Sequence, residues 1–317
     1  MWRYLLRRLV HAVIVMIGVS IFTFLLTRVV GNPVDLILGR GSSASAATVK
    51  RITESLGLNK PLWQQYLDWL SHAARGDLGR SFQAPISVTS ALTSAAPVTL
   101  ELSIAALVLA IIIGIAMGMI SALRPGRVAD GTASVFSAVA IAVPNFWLGL
   151  ILIFLLAVKA GVLPASGYVP FTSDPGQNLR DMVLPVLTLA TFYAGSYTRY
   201  MRSLILTGLT EDYVRAARAK GIRGRVLLLH HVLRNAMVPF ITIVGLDVAG
   251  LLGGAVVTEV VFSLPGIGTL LENAILGGDV PMVEGTVLVV TASVVLLNML
   301  LDFIYGYLNP QIRLGGA

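Results

Sequence analysis

The stretch "VRAARAKGIRGR", residues 214–225, carries five basic residues, Arg215, Arg218, Lys220, Arg223 and Arg225, and no acidic one. In a soluble protein such a run is an ordinary solvated face. Here it lies between two long apolar stretches. The chain has 317 residues, 56% of them hydrophobic and 12% charged, with a mean hydropathy of +0.83. Soluble domains stand at about 45–50% apolar. Several runs exceed the roughly 18 apolar residues that read as a membrane span. The runs are continuous, whereas barrel strands alternate over about ten residues. The composition therefore predicts an all-α integral membrane protein.

Working outward from 214–225, six spans are expected, at 9–30, 98–123, 132–158, 183–206, 238–262 and 286–308. Pro144 and Pro185 fall in or near spans, where neighbouring groups satisfy the freed backbone. Gly114-x-x-x-Gly118 and Gly250-x-x-x-Gly254 let helices approach closely, which reads as bundle packing. The first span follows Arg3, Arg7 and Arg8. No small-residue cleavage site follows it, so it reads as an uncleaved span and not as a signal peptide.

The net charge is +7, and its distribution sets orientation. One side collects Arg3, Arg7, Arg8, Arg124, Arg127, the eight basic residues of 199–237 and Arg313. The short loops opposite hold Lys159 and Arg180. Fourteen against two is a positive-inside bias, which places both termini and the 214–225 stretch in the cytoplasm. Cysteine is absent, so no disulfide staples an exposed segment.

Residues 31–97 then form a long external segment. Within it "NKPLWQQYLDWLSHA" (59–73) reads as an amphipathic helix with Pro61 in its first turn. Leu62, Trp63, Tyr66, Leu67 and Leu70 recur at helical spacing. Two readings fit that stripe equally: a helix lying on the membrane surface, or a small cap that meets a partner.

Several chemistries are excluded or unsupported. The only lysines are Lys50, Lys60, Lys159 and Lys220, and none precedes Ser or Thr, so there is no phosphate-binding P-loop. His230 and His231 are neighbours about 100° apart on a helix, and no H-E-x-x-H occurs, so no metal site is expected. No nucleophile-and-base set is visible. The charge reads as membrane topology and not as nucleic-acid binding. The carboxylates in the spans remain: Asp247 deep in the fifth, Glu259 near its outer end, Asp302 in the last and Glu101 at the start of the second. Charges at such depth face an interior or a cavity. Asp247 is read either as a polar anchor between helices or as a proton or substrate site.

"TEDYVRAARAKGIRGRVLLLHHVLRNAMVP" (210–239) resembles the signature loop of permease subunits of binding-protein-dependent ABC importers, in the dipeptide/oligopeptide/nickel branch. Glu211, Asp212, Tyr213, Val214, Arg215, Ala217, Arg218, Ala219, Lys220 and Gly221 carry the first half of the likeness, and Arg234, Asn235, Ala236 and Pro239 the second. "YLLRRL" (4–9), "LGLNKPLWQQYLDWL" (56–70), "GDLGRSF" (76–82), "PNFWLGL" (144–150) and "GGAVVTEVVFSLPGIG" (253–268) are also similar to that family. "VVGNPVD" (29–35) departs from its more usual P-G-D-P.

The resemblance implies a type I ABC importer permease-like bundle of six transmembrane helices in a bacterial cytoplasmic (inner) membrane. It divides the chain into an N-terminal transmembrane helix (1–30), an external segment (31–97), a five-helix core (98–309) with a cytoplasmic coupling loop at 207–237, and a tail (310–317). It implies a second homologous permease subunit, two ATPase subunits and an external solute-binding protein, in a lipid bilayer. ATP and magnesium would be held by the ATPase subunits and no cofactor by this chain, which would not itself be an enzyme. The solute is left open among dipeptides, oligopeptides, nickel chelates, glutathione and sugars.

Two other readings compete. One is a proton-coupled secondary transporter using Asp247. The other is a membrane protein whose basic loop binds anionic lipid. For the ATPase-coupling loop, Glu211, Tyr213, Arg215, Ala217, Arg218, Ala219 and Gly221 are the expected residues. A short helix over 211–221, broken at Gly221, would present Ala217 and Gly221 on one small face.

Overall fold

The computed structural model describes residues 2–30, 46–55 and 57–308. The departure at 31–35 and the expected tail at 310–317 lie outside them. Among the described residues the fold is helical, with one isolated bridge between Arg80 and Ser87. It divides into two units, residues 1–98 with 265–299, and residues 99–264 with 300–317.

The first unit contains α1 (Trp2–Val30), α2 (Ala46–Ser55), α3 (Leu62–Ala73), the start of α4 (Val88–Leu123), α11 (Ile267–Gly277) and most of α12 (Val280–Leu308). Most of α1 is exposed, with Ile14 at 60% and Phe22 at 64%. A side chain from each of two turns ties it down. Phe24 meets the Tyr66 ring edge-on at 5.5 Å, and Ser20 Oγ bonds the Tyr66 hydroxyl at 2.8 Å. At its C-terminal end Thr27 donates to Glu284 at 2.6 Å, and Arg28 reaches the same carboxylate at 3.3 Å. Residue 28 lies in the last turn of α1 and residue 284 near the start of α12, so these two helix ends meet.

The α3 stripe divides. Tyr66 and Trp69 pack against Phe24 and Leu70 is half-buried, while Leu62, Trp63 and Leu67 point outward. Pro61 caps the helix one residue before its first turn, its carbonyl accepting from the Gln64 and Gln65 amides. Leu78, Val88, Leu92, Ala274 and Met282 form the core of this unit. Asp279 fastens the 81–82 loop to the start of α12. It accepts from Ser81 Oγ, from the Phe82 amide at 3.1 Å and from the Met282 amide at 3.4 Å.

The second unit is built round α7 (Pro175–Thr210). Asp174 starts it, with its carboxylate accepting from the Gly176 and Gln177 amides at 2.9 and 3.0 Å and Pro175 in the first turn. Against α7 pack α4, α5 (Val128–Ala142), α6 (Asn145–Leu152, continuing as a π-helical stretch to Lys159) and α10 (Arg234–Phe262). Small residues allow the approach. A Cβ on Gly118 of α4 would stand 2.7 Å from Met201 Cβ, and one on Gly254 of α10 would meet Leu189 at 3.0 Å. Ser137 of α5 donates to the Gly195 carbonyl at 2.7 Å. Both small-x-x-x-small pairs of the sequence therefore face α7, as bundle packing requires.

Two predicted spans differ from the other four, one in shape and one in composition. The stretch 132–158 is two helices, α5 and α6–Lys159, meeting at 105°. Pro144 has no N–H to give and holds Val143 extended, at φ −83° and ψ 123°. The stretch 183–206 lies within α7, which is not among the helices apolar enough to cross a membrane by composition. Among the described residues four helices meet that standard, or five if the bent pair counts as one span. Polar residues such as Asn178, Asp181, Thr188 and Thr198 are buried in α7, where neighbouring helices, not lipid, surround them.

Candidate coupling loop and intramembrane polar groups

After α7 the chain turns at Glu211, whose extended backbone caps α8 (Asp212–Ala219). The Glu211 carbonyl accepts from the Val214 and Arg215 amides. Asp212 sits favourably in the first turn and pairs with Arg215 at 2.7 Å, both side chains well exposed. Such a surface pair contributes about 0–1 kcal/mol. The helix ends where the alanines end. Gly221 is left-handed at φ 84°, and the Gly221 and Ile222 amides return to the Arg218 and Ala217 carbonyls at 3.0 and 3.1 Å. The helix expected over 211–221 and its stop at Gly221 are both present.

The face it presents differs from the one expected. Val214 and Ala217 are buried, 0% and 6% exposed, and Tyr213 is half-buried with its hydroxyl beside Gly208. These three hold α8 onto the end of α7 and onto the π-helical stretch Leu227–Leu233, which follows the short turn α9 (Gly224–Val226). Ala217 is small because it lies under the helix. Glu211, Arg215, Ala216, Arg218, Ala219, Lys220 and Gly221 are exposed. The small outward residues are Ala216 and Ala219, flanked by basic ones. A cleft of about 480 Å³ opens beside them, lined by Arg218, Arg223, Leu123, Leu209 and Leu227.

An ionic cluster, with Asp130 buried and Arg202 partly exposed, lies at the same end of α7, and no motif in the sequence points to it. Arg202 donates from Nε to Asp130 Oδ1 at 2.7 Å and from Nη2 to Oδ2 at 2.9 Å. Ser121 and the Gly126 amide bond the same carboxylate at 2.5 and 2.9 Å. This two-pronged pairing fixes α4, α5 and α7 together. Further toward the start of α4, Tyr168 donates to Glu101 at 2.7 Å. Burial, and then this bond, push the Tyr168 phenol up to about 12, so it stays a donor. Glu101 and Ser121 are 20 residues, about 30 Å, apart along one helix, so the Tyr168 bond and the Asp130 cluster are far apart along α4.

The intramembrane carboxylates fall apart in space and in kind. Asp247 on α10 is half-buried and interacts with the Tyr197 side chain, with Tyr193 also in electrostatic reach. Tyr197 is fully buried and meets the Phe240 ring at 5.5 Å. Glu259 is fully buried near the end of α10, where Ser263 turns left-handed and the Leu264 amide returns to the Glu259 carbonyl at 2.9 Å. The side chain of Asp302 lies outside the described residues.

Comparison with known proteins agrees along the whole chain. The family of binding-protein-dependent transport system inner membrane components matches residues 111–314, and the N-terminal model of such membrane components matches 1–103. A probable peptide ABC transporter permease protein, y4tP of Sinorhizobium fredii, is 37% identical over 98% of this chain and 99% of its own length. The dipeptide transport system permease protein DppB of Escherichia coli K12 is 36% identical over 99% of both. A solved structure of an amino acid ABC transporter with histidines superposes at a TM-score of 0.53. It has 14% identity, covering 69% of this chain and 94% of that one; this supports the fold alone. A polar helix caged by apolar ones, a separate basic helix after it and these matches lead to one assignment: the chain belongs to the family of binding-protein-dependent transport system inner membrane components, as a permease subunit.

Proposed function

We propose that this permease forms half of a translocation pathway for peptides or a related small solute. A second homologous permease supplies the other half, two ATPase subunits carry ATP and magnesium, and a solute-binding protein delivers from outside. This chain holds no cofactor and catalyses no reaction of its own. It crosses the inner membrane six times, with α7 and the bent α5–α6 pair counted as spans and both termini cytoplasmic. Residues 31–97 are external, 98–309 are the core, 207–237 is the coupling loop and 310–317 is the tail.

The observation that carries this is α8. It is a short helix held from beneath by Val214 and Ala217, with Ala216 and Ala219 outward among basic side chains. Small residues allow another protein's groove to close over the helix, and the bases suit acids at a groove's rim. Arg215, Arg218 and Gly221 flank that surface, while Glu211 and Tyr213 set the helix on α7. Attraction to anionic lipid would need charge but no small residues. Asp247, beside two tyrosines, and the buried Glu259 act as polar anchors within the bundle.

Coexpression of this chain with its cognate subunits and uptake into proteoliposomes tests the reading. Copurification with an ATPase and uptake that needs internal ATP and survives collapse of the proton gradient are expected. Uptake lost with the proton gradient, and abolished by Asp247→Asn, would favour the secondary carrier instead. For orientation, a cysteine at Arg223 is expected to resist impermeant reagents in intact cells.

A further inference from the structure

Helix α3 is amphipathic, and α1 covers only part of its apolar side. At about 100° per residue, Trp69, Leu62, Tyr66, Leu70, Trp63 and Leu67 follow one another round an arc of about 160°. Ser71, Gln64, Asp68 and His72 fill the other side. Tyr66 and Trp69 pack on Phe24, and Leu70 is half-buried. The remaining three point away from α1: Trp63 is 62% exposed, and Leu62 and Leu67 are each 52% exposed.

The contacts with α1 fix the level at which this bare face lies. Among the described residues, the buried side chains of α1 are Ser20, Thr23, Phe24 and Thr27, all toward its C-terminal end. Tyr66 reaches Ser20 and Phe24, and Trp69 reaches Phe24. The apolar stretch of α1 ends at Val29. At about 1.5 Å per residue, Phe24 and Ser20 lie about 8 and 14 Å short of that end. The hydrocarbon core of a bilayer is about 30 Å thick, so α3 is moored within the depth of one leaflet.

The neighbouring surface of α1 is of the same kind, with Phe22, Leu25 and Leu26 exposed. Lipid covers such a surface on a membrane span, and the bare half of α3 continues it at the same level. A soluble partner would have to pass below the headgroups to meet Trp63. It would first meet the other side of α3, where Lys60 pairs with Asp68 at 2.7 Å, both about half exposed, and His72 is exposed. That pairing cancels the one carboxylate of the helix, so apolar burial decides and not attraction to anionic headgroups. Tryptophan, an apolar body with one polar N–H, suits this level.

We propose that α3 is an interfacial anchor. Its outward face of Leu62, Trp63 and Leu67 inserts beside α1 into the boundary between headgroups and acyl chains of the external leaflet, and holds the external segment down on the membrane. Of the two readings that the stripe allows in the sequence, lipid is therefore the partner. The proposal rests on α1 as a membrane span and on its contacts with α3, and not on the solute or the coupling loop.

The chain has no cysteine, so a single introduced cysteine carries the only nitroxide label. Trp63→Cys, Leu67→Cys and His72→Cys are each labelled in the full chain in phosphatidylcholine nanodiscs. Collisions of the label with oxygen, which concentrates in lipid, are compared with collisions with chromium oxalate, which stays in water. The oxygen-to-chromium ratio is expected to be several-fold higher at positions 63 and 67 than at 72, and to place both labels about 5–10 Å below the phosphates. Leu67→Cys repeats the measurement should Trp63→Cys fail to fold. An equal ratio at the three positions, or a high ratio that appears only when anionic lipid is added, overturns the proposal. The measurement is then repeated with the second permease and the ATPase subunits assembled on the labelled chain, and an unchanged ratio is expected. Labels at 63 and 67 that become immobile and lose oxygen contact on assembly show that protein covers this face, which also overturns it. Uptake plays no part in this readout, so the anchor and the transport reading fail independently.

Discussion

Helices α1 and α7 are opposites. In α1 the sequence is strongly apolar and only 17% of its most apolar window is buried. In α7 arginines, aspartate, asparagine and threonines interrupt the apolar pattern, and fifteen residues are buried. Apolar composition marks the helix that faces lipid. Burial in protein marks the helix whose polar groups find partners. A search for greasy runs therefore finds exposed helices such as α1 more readily than the centre of the second unit.

Placing the same substitution at two glycines tests that contrast. Gly118→Leu on α4 drives a side chain into Met201 Cβ at 2.7 Å and the Thr198 carbonyl at 2.9 Å. We expect a loss of about 3 kcal/mol, seen as a large fall in the thermal midpoint in detergent. Arg202→Met removes both prongs from Asp130 and should give the next largest fall. Arg202→Lys should restore only part of it, since an ammonium cannot form the paired bonds. Tyr66→Phe breaks the bond to Ser20, one of few polar ties on α1, and should cost about 1 kcal/mol. Gly18→Leu on α1 has nothing within 4 Å of the new Cβ and should stay within about 0.5 kcal/mol. A Gly18 effect as large as that at Gly118 would mean that α1 is enclosed and the contrast is wrong.

The sequence was legible where local chemistry decides. Alanines followed by Gly221 predict a short helix and its stop, and both are present. Continuous apolar runs predict α1, α4, α10 and α12. Pro144 alone does not predict a break, since a proline in a span is often tolerated, and only the extended Val143 reveals the 105° bend. Asp130 and Arg202 are 72 positions apart. Arg202 counts as one more positive charge until folding brings the two together. The apolar spacing of α3 predicts one face, whereas its inward side is Tyr66 and Trp69, set by the rings they meet. Small residues suit a docking surface, which points Ala217 outward. They equally suit a helix lying close on its support, and burial decides for the latter.

The central claim is that α8 transmits ATP hydrolysis to the permease, and Gly221 tests it most directly. A side chain there meets no atom within 4 Å, but the backbone at φ 84° disfavours any side chain. Gly221→Ala imposes that strain without bulk, and Gly221→Trp adds bulk beside the outward face of α8. The measurement is solute-stimulated ATP hydrolysis and uptake by the assembled transporter in proteoliposomes. Both variants should insert normally, with hydrolysis and uptake falling together, and much further in Gly221→Trp than in Gly221→Ala. Wild-type hydrolysis and uptake in Gly221→Trp would contradict it, and the basic loop would then be a lipid-facing element.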